Sequence, residues 1–275
     1  MNVLKNWIIR NIPPAIRDEV VSFRDRFRRF PDKAIVNGKA YTVVPDKFWI
    51  TFNNGSWEPE LKDFFRRHIN PEKMVMDIGG YIGPTFLYAQ AYQPKKIVLV
   101  EADPKNFSTL QQNLQMNALL VPVELRNICI SERSGETVSF GPMDKHLPHT
   151  ATHGIGGNGN FVKTFAFTEF LAGCDLANTN VIKIDIEGGE RFLADGLDYL
   201  STHSGIVIYL ALHPPFWPER NQTAEKLLNS IQKFDLFDNS ENPLSMEELK
   251  KRMLSDERTY YRDRRGIFFD IILKS

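Results

Sequence analysis

One stretch of the sequence, residues 74–103, constrains the fold more than any other. It reads MVMDIGGYIGPTFLYAQAYQPKKIVLVEAD, in which two short apolar runs each end on an acid, Asp77 and Glu101. A glycine-rich turn and an apolar pattern of helical spacing separate the two runs. Parallel strands need a helical crossover, and continuously apolar strands indicate that helices cover both faces of their sheet. The stretch therefore predicts a β-α-β unit in a doubly wound, mostly parallel sheet.

The turn in this unit has the pattern D-x-G-G-x-x-G, with glycines at Gly79, Gly80 and Gly83. Such glycines let the backbone turn sharply and let a ligand approach it. Glu101 is placed to accept hydrogen bonds from ribose hydroxyls, whereas Asp77 stands where a dinucleotide would need room for its pyrophosphate. S-adenosylmethionine has an adenosine, a sulfonium and an amino group but no phosphate, so it suits this turn better. The alternative is a ligand-free core whose glycines only pack helix against strand.

Composition narrows the class of protein further. The 275 residues include 34 Lys plus Arg and 34 Asp plus Glu, so no overall basic field favours nucleic acid or an acidic membrane. Cys129 and Cys174 lie in or beside apolar runs without metal-type spacing, which favours free thiols in a reducing compartment. Neither a signal peptide nor an apolar run of membrane-spanning length is visible. We expect a cytoplasmic protein.

Residues 1–54 are predicted to form an N-terminal helical and β-hairpin appendage to a domain over residues 55–275. Helical spacing over residues 1–30 is broken at Pro13, and its second half is rich in arginine. That half either contacts an acidic partner, a membrane or another subunit, or lies as an amphipathic helix on the core. Residues 34–52 alternate as in strands around an Asn37-Gly38 turn, a strong hairpin signal. A helix is expected to follow from Pro59.

The next features are a third strand over Val123–Ile130 and a polar, glycine-rich segment over residues 141–160. A structureless loop of this length usually covers a site, so we expect a lid on the substrate side. The segment contains His146, His149 and His153, which also permits a metal site as the alternative.

A second informative stretch, residues 181–190, reads VIKIDIEGGE. Its apolar strand ends in Asp185 and Glu187, which would alternate along the strand and point together into the crevice at the carboxyl ends of the sheet. Alternatively, Glu187 and Glu190 are N-terminal acids of the following helix. That alternative explains Glu190 well and Asp185 poorly.

A fifth strand over Ile206–Leu212 ends in His213-Pro214-Pro215-Phe216. His213 would stand at the same sheet edge, where an imidazole can act as a base, or it is a structural histidine before a rigid turn. The tetrapeptide superficially resembles the Asn/Asp-Pro-Pro-Tyr/Phe motif of amine-directed DNA methyltransferases. Histidine fits that role poorly, and the net charge is zero, so no nucleic-acid partner is expected.

The sequence resembles the class I S-adenosylmethionine-dependent methyltransferases, with a seven-stranded, Rossmann-like sheet, and within them the FkbM family. The matching stretches are MVMDIGGYIG (74–83), VEADPKNFSTLQQNLQMN (100–117), NICISERSGETVSF (127–140) and VIKIDIEGGERFLADGL (181–197), with GSWEPELKDFF (55–65) as lead-in. The resemblance covers about residues 55–273. It implies methyl transfer to a hydroxyl oxygen, often on a sugar or a polyketide-type natural product. The family usually has Ala-Asn where this chain has Gly80-Tyr81.

These inferences combine into one hypothesis for the site. The residues assigned to the cofactor S-adenosylmethionine are Asp77, Gly79, Gly80, Tyr81, Gly83, Glu101, Ala102, Asn127, Ile128 and Asp185. Asp185, Glu187 and His213 flank a small-molecule acceptor, with His213 or Asp185 as the base. The same three residues could share a divalent cation that polarises the hydroxyl, although no residue is assigned as a metal ligand.

Two rival functions stay open. A nicotinamide-dependent dehydrogenase would need a glycine spacing that this chain lacks. A methyltransferase-like binding protein without activity, or one that depends on a partner, would explain the bulky Tyr81 in the first turn. The presence of Glu101 and of the pair of Asp185 and Glu187 argues against it.

Overall fold

The structure, a computed structural model, describes residues 30–142, 153–155, 160–257 and 265–275. The helices predicted within residues 1–29 lie outside these ranges. The strands are β1 (Lys33–Val36), β2 (Lys39–Thr42), β3 (Met74–Ile78), β4 (Lys96–Val100), β5 (Val123–Arg126), β6 (Ile128–Ser131), β7 (Thr137–Pro142), β8 (His153–Ile155), β9 (Asn160–Ala166), β10 (Thr179–Ile184), β11 (Val207–Leu212), β12 (Asp235–Asp238) and β13 (Phe269–Lys274).

From β3 onwards, the helices alternate with the strands of the central sheet, as the predicted crossovers require. They are α1 (Phe48–Asn53), α2 (Pro59–His68), α3 (Pro84–Gln90), α4 (Pro104–Gln115), α5 (Phe167–Ala172), α6 (Ala194–Leu200), α7 (Arg220–Ser230) and α8 (Met246–Met253). Within the described ranges, none of them has the length and apolarity needed to cross a bilayer.

The central sheet has seven strands among the described residues, in the order β12-β13-β11-β10-β3-β4-β5. Neighbouring strands are parallel except that β13 runs antiparallel to both β11 and β12. The predicted doubly wound and mostly parallel seven-stranded sheet is confirmed. Strands β3, β4 and β10 are adjacent, so the residues that follow them meet at one edge of the sheet.

Two apolar layers enclose this sheet. Helices α5 to α8 pack on one face, against side chains such as Met76 and Ile182. Helices α1 to α4 and the β1-β2 hairpin pack on the other, against side chains such as Val75 and Val181. Alternate residues of one strand thus face different layers, which explains why the core strands are apolar throughout.

The β1-β2 hairpin has the turn that its sequence predicts. Val36 pairs with Lys39, so the loop is Asn37-Gly38, and both residues have positive φ (+49° and +79°). These dihedrals belong to the two-residue turn that matches strand twist. The predicted strand character of residues 48–52 is wrong, because α1 occupies them and buries Trp49 in the layer against the sheet. The domain boundary at residue 54 stays a prediction.

A second, four-stranded sheet with the order β6-β9-β7-β8 was not predicted. The single strand expected over Val123–Ile130 is two strands, because the chain leaves the central sheet at Asn127 and enters the second sheet as β6. The expected loop over residues 141–160 is also partly wrong. Its first two residues end β7, and residues 153–155 form β8. His146 and His149 lie outside the described residues.

Glu241 joins the helical layer to the last strand. Its carboxylate lies 2.8 Å from Arg67 Nε, 2.7 Å from His68 Nε2 and 2.8 Å from Lys274 Nζ. Burial raises the pKa of Glu241, but hydrogen bonds from Lys274 and His68 and their charges outweigh it and lower that pKa to about 2. The ionised carboxylate therefore stabilises the fold.

We expect Glu241→Gln to lower the free energy of unfolding by about 2 kcal/mol at pH 7. Since the folded pKa is depressed, this contribution is complete above about pH 4.5 and is lost as the pH falls towards 2. Urea unfolding at pH 7, 4 and 2.5 measures the difference. Asp63→Asn, which removes an exposed ion pair with Arg66, is the control and should cost little. Equal effects of the two substitutions at pH 7 would contradict the assignment.

Candidate functional site

The glycine-rich turn after β3 is fixed by its backbone. The N–H groups of Gly79 and Gly80 both donate to the carbonyl oxygen of Val100, at 2.8 and 2.9 Å. Gly79 has φ of +95°, and a Cβ there would lie 1.7 Å from the carbonyl oxygen of Asp185. The turn thus contacts the ends of both β4 and β10, and only glycine fits at this approach.

Glu101, which follows β4, is held by two backbone donors. Its carboxylate accepts from the N–H of Tyr81 at 2.7 Å and from that of Asp103 at 2.8 Å. Burial raises the pKa of Glu101 to about 8, although these hydrogen bonds oppose the shift. The side chain is therefore fixed in orientation, and its charge depends on pH near neutrality.

Tyr81 occupies the position at which the resembling family usually has asparagine. Its φ is +50°, in the left-handed region that asparagine tolerates well and tyrosine adopts at a cost. The backbone N–H still reaches Glu101, and the ring packs edge-on against Phe48 of α1, with centroids 5.4 Å apart. Tyr81 thus combines a backbone contact to Glu101 with an aromatic contact to α1.

Asn127 stands where the chain changes sheets. Its side-chain amide donates to the carbonyl oxygens of Glu101 and Ala102, at 2.8 and 3.2 Å. This bond pins the segment after β4 to the start of β6, so Ile128 is held beside Glu101. Asn127 therefore has a positioning role towards the residues around it.

These elements surround a cavity of about 530 Å³ at the carboxyl edge of the central sheet. The sequence-predicted residues that line it are Gly79, Tyr81, Glu101, Ala102, Ile128, Asp185 and Glu187. The predicted residues that are not part of its wall are Asp77, Gly80, Gly83, Asn127 and His213. Lining residues that the sequence analysis missed include Asp103, Asn106, Ile130, Arg191, Phe192 and Trp217.

Asp77, which was expected to contact the cofactor, does not line the cavity. Its carboxylate is buried and lies 3.4 Å from Lys183 Nζ, an ion pair beneath the glycine turn. Lys183 also lies 3.3 Å from Asp185 Oδ2 and donates to the carbonyl oxygen of Gly79 at 3.1 Å. Burial lowers the pKa of Lys183, but the two aspartates outweigh it and raise that pKa, so the ammonium persists. Asp77 therefore holds the sheet edge together.

The structure brings Asp185, Glu187 and His213 together, although the two acids do not alternate along a strand as the sequence analysis expected. Strand β10 ends at Ile184, before either acid. A left-handed turn, with φ of +49° at Glu187 and +97° at Gly188, turns the chain instead. His213 Nε2 consequently lies 3.8 Å from Asp185 Oδ1 and 3.4 Å from Glu187 Oε2.

Glu190 is the residue of this site whose role the sequence analysis missed. It lies in a 3-10 turn over Gly189–Phe192 and is fully buried, so it is not an exposed helix N-terminal acid. Its carboxylate lies 3.0 Å from His213 Nδ1 and accepts from Trp217 Nε1 at 2.8 Å. One sequence signal was available, since a buried acid needs partners and the later HPPFW segment offers an imidazole and an indole.

Charge decides which of these groups can accept a proton. Burial lowers the pKa of His213, but Glu187, Glu190 and Asp185 outweigh it and raise that pKa to about 10. Burial raises the pKa of Asp185, but the charges of Lys183 and His213 outweigh it and hold that pKa below its ordinary value. At neutral pH this arrangement is an imidazolium beside carboxylates. Whether His213 or Asp185 acts as the base stays a prediction, and the raised pKa of His213 favours Asp185.

The chain is similar, at low sequence identity, to several solved structures. They include precorrin-6y C5,15-methyltransferase from Geobacter metallireducens (14% identity, 90% of this chain and 100% of that chain, TM-score 0.44). Another is a putative rRNA-methylase from Clostridium thermocellum (9% identity, 79% of this chain and 95% of that chain, TM-score 0.46). A third is M. jannaschii TYW2 in complex with AdoMet (13% identity, 90% of this chain and 87% of that chain, TM-score 0.44). No protein-family model and no curated protein matches the sequence. At identities this low, activity and substrate have to be argued from the site itself.

Proposed function

We propose that this protein is an S-adenosylmethionine-dependent O-methyltransferase of FkbM type, acting on a hydroxyl of a sugar or small natural product. The observation that carries the proposal is the Glu101 carboxylate, fixed by two backbone N–H groups at the wall of the cavity beside the glycine turn. Carboxylates in this position of doubly wound sheets accept hydrogen bonds from ribose hydroxyls.

The residues around Glu101 fit an adenosine. Gly79 presents bare backbone to the cavity, and Val100, Ile128 and Ile130 give its wall an apolar portion. A cavity of about 530 Å³ lies in the range of small-molecule sites. Glu101 would hold the ribose, and the apolar portion would hold the adenine.

The carboxylates of Asp185 and Glu187 support an acceptor site in the same cavity, because both line its wall. When bound, S-adenosylmethionine supplies an activated methyl group: the acceptor oxygen forms its bond to the methyl carbon as the bond from carbon to sulfur breaks, leaving S-adenosylhomocysteine. Asp185 orients the acceptor hydroxyl and accepts its proton. His213 keeps the Asp185 and Glu187 carboxylates in place by charge.

The proposal includes a cellular compartment for the protein and a chemical class for its acceptor. Cys129 and Cys174 are both free thiols, which supports a reducing compartment such as the cytoplasm. A small hydroxyl compound is the proposed acceptor because acidic side chains in the cavity suit a neutral polyol better than a polyphosphate.

Calorimetric titration with S-adenosylmethionine, S-adenosylhomocysteine and NADH tests the cofactor. We expect micromolar binding of the two sulfur ligands and no binding of NADH. At pH 9, where the Glu101 carboxylate is ionised, Glu101→Gln should weaken S-adenosylmethionine binding about 30-fold, since hydrogen bonds to a charged acceptor are worth roughly 2 kcal/mol. Glu132→Gln, an exposed acid that follows β6, is the control and should change nothing. Binding of NADH alone would refute the proposal.

The pH dependence of this titration gives a second test. Because burial raises the pKa of Glu101 to about 8, its carboxylate becomes protonated as the pH falls below that value. The Kd of the wild-type protein should therefore rise about tenfold between pH 9 and pH 7. The Kd of Glu101→Gln should stay nearly constant over the same range. A flat wild-type profile would show that the ionised carboxylate does not bind the cofactor.

The acceptor is tested with a panel of sugars and small hydroxyl compounds, with short RNA oligonucleotides as a second panel. Methylation of a hydroxyl compound supports the proposal, and methylation of RNA alone contradicts its acceptor class. Cofactor binding without transfer to any acceptor would favour a methyltransferase-like binding protein.

A further inference from the structure

The cluster of Asp185, Glu187 and His213 has the composition and spacing of a cation site. One donor atom from each residue lies within 4.8 Å of the other two. His213 Nε2 is 3.4 Å from a Glu187 oxygen and 3.8 Å from an Asp185 oxygen. Two ligands at about 2.1–2.3 Å from one cation are separated by distances of this order.

The imidazole is held in the orientation that a ligand requires. Glu190, itself fully buried, lies 3.0 Å from His213 Nδ1 and is fixed in turn by the Trp217 indole N–H. Nε2 therefore points towards Asp185 and Glu187. A carboxylate on the far nitrogen is the usual outer-shell partner of a metal-binding histidine.

Asp185 gives independent evidence for a ligand. Its Oδ2 is 3.3 Å from Lys183 Nζ, whereas its Oδ1 is buried and accepts no hydrogen bond from the described part of the chain. Oδ1 is the oxygen that faces His213. A buried carboxylate oxygen without a donor is costly, and a cation bound there would satisfy it.

The charges of the side chains around this cluster also favour a bound cation. Asp77, Asp185, Glu187 and Glu190 are joined through Lys183 and His213 by contacts of 3.0–3.8 Å. Four carboxylates in this chain of contacts accompany one lysine ammonium and one imidazole. The excess of negative charge attracts a cation.

We propose that Asp185, Glu187 and His213 bind one divalent cation of the Mg²⁺ or Mn²⁺ class, which holds the oxygen of the acceptor hydroxyl. Two carboxylates and an imidazole suit hard to borderline divalent ions, and the cation would take the place of the proton on His213 Nε2. Three protein ligands leave coordination positions open towards the cavity, which Asp185 and Glu187 line.

This inference rests on the proposed function and changes its proton transfer. A cation held by Asp185, Glu187 and His213 would lower the pKa of a hydroxyl group bound to it, so that the proton would pass to solvent instead of to Asp185. The oxygen then forms its bond to the methyl carbon as the bond from carbon to sulfur breaks.

Mn²⁺ binding to the full chain, after removal of metals with a chelator, tests the site without any need for activity. Electron paramagnetic resonance of unbound Mn²⁺ should show one site per chain. Glu187→Gln and His213→Gln should each weaken it at least about tenfold. Glu132→Gln and His203→Gln, an acid and a histidine outside the cluster, should leave it unchanged. A thermal unfolding curve of Glu187→Gln that matches the curve of the wild type would show that the variant is folded and that only the cation site is lost.

The outcomes separate this inference from the proposed function. Chelator-treated protein that binds S-adenosylmethionine and methylates its acceptor at the full rate would overturn the cation site and leave the methyltransferase intact. Mn²⁺ bound equally by wild type and both cluster variants would also overturn it. Loss of S-adenosylmethionine binding in metal-loaded protein would instead refute the proposed function, because Glu101 and the glycine turn lie outside the cluster.

Discussion

Asp185→Asn is expected to lower the turnover number for methyl transfer at least about a hundredfold while changing the Kd for S-adenosylmethionine less than about threefold. Asparagine keeps the shape of the side chain but removes the charge that lies beside Lys183 and His213. Groups that orient and polarise a reacting oxygen typically contribute effects of about this size. Single-turnover rates and calorimetry on the same preparation measure the two quantities.

The matched control lies at the other end of the same strand. Asp175 precedes β10 and caps a 3-10 turn through its side chain, outside the cavity wall. Asp175→Asn should preserve that cap and leave turnover unchanged. If Asp185→Asn lowered cofactor affinity and turnover by the same factor, Asp185 would belong to the cofactor site and not to the acceptor site.

Gly79→Ala is expected to destroy the site by displacing the backbone. The new Cβ would lie 1.7 Å from the Asp185 carbonyl oxygen and 2.8 Å from its carbonyl carbon, so one of the two segments has to move. Residue 79 also has φ of +95°, which alanine adopts with strain. We expect a loss of at least about 4 kcal/mol in the free energy of unfolding, or failure to fold. Denaturant unfolding with far-ultraviolet circular dichroism measures it.

Gly205→Ala is the control that separates the steric clash of the new Cβ from the strain of a positive φ. Gly205 has φ of +79°, but a Cβ there would meet nothing within 4 Å. The control should cost about 1–2 kcal/mol, the price of the backbone conformation alone. Similar losses for the two variants would show that the approach of Gly79 to Asp185 is not what matters.

The parts of the fold that the sequence predicted are those set by local rules. Apolar runs that end at Asp77 and Glu101 identify strands β3 and β4 because buried parallel strands have no polar face. The Asn37-Gly38 turn and the proline that opens α2 are equally local signals. Each could be predicted without knowledge of its distant neighbours.

The parts that were not predicted depend on distant contacts. Nothing near Asn127 in the sequence shows that the chain changes sheets there, because the partners of β6 come about 35 residues later. Asp77 was assigned to the ligand because its partner, Lys183, lies in a separate strand more than 100 residues away. Glu190 was interpreted as a helix N-terminal acid for the same reason, since its indole donor, Trp217, follows another strand. Side-chain orientation in a site is a tertiary property.

Lys183 contacts residues from two parts of the cavity wall, the glycine turn after β3 and the segment after β10. Its ammonium contacts the carbonyl oxygen of Gly79 in the glycine turn and the carboxylate of Asp185 on the acceptor side. A ligand that shifts either contact changes the electrostatic environment of the other. Thermodynamic reciprocity then requires that the cofactor and the acceptor alter each other's affinity by the same factor. If the two ligands bind as proposed, this one buried cation would couple occupancy of the glycine turn to occupancy of the Asp185 side of the cavity.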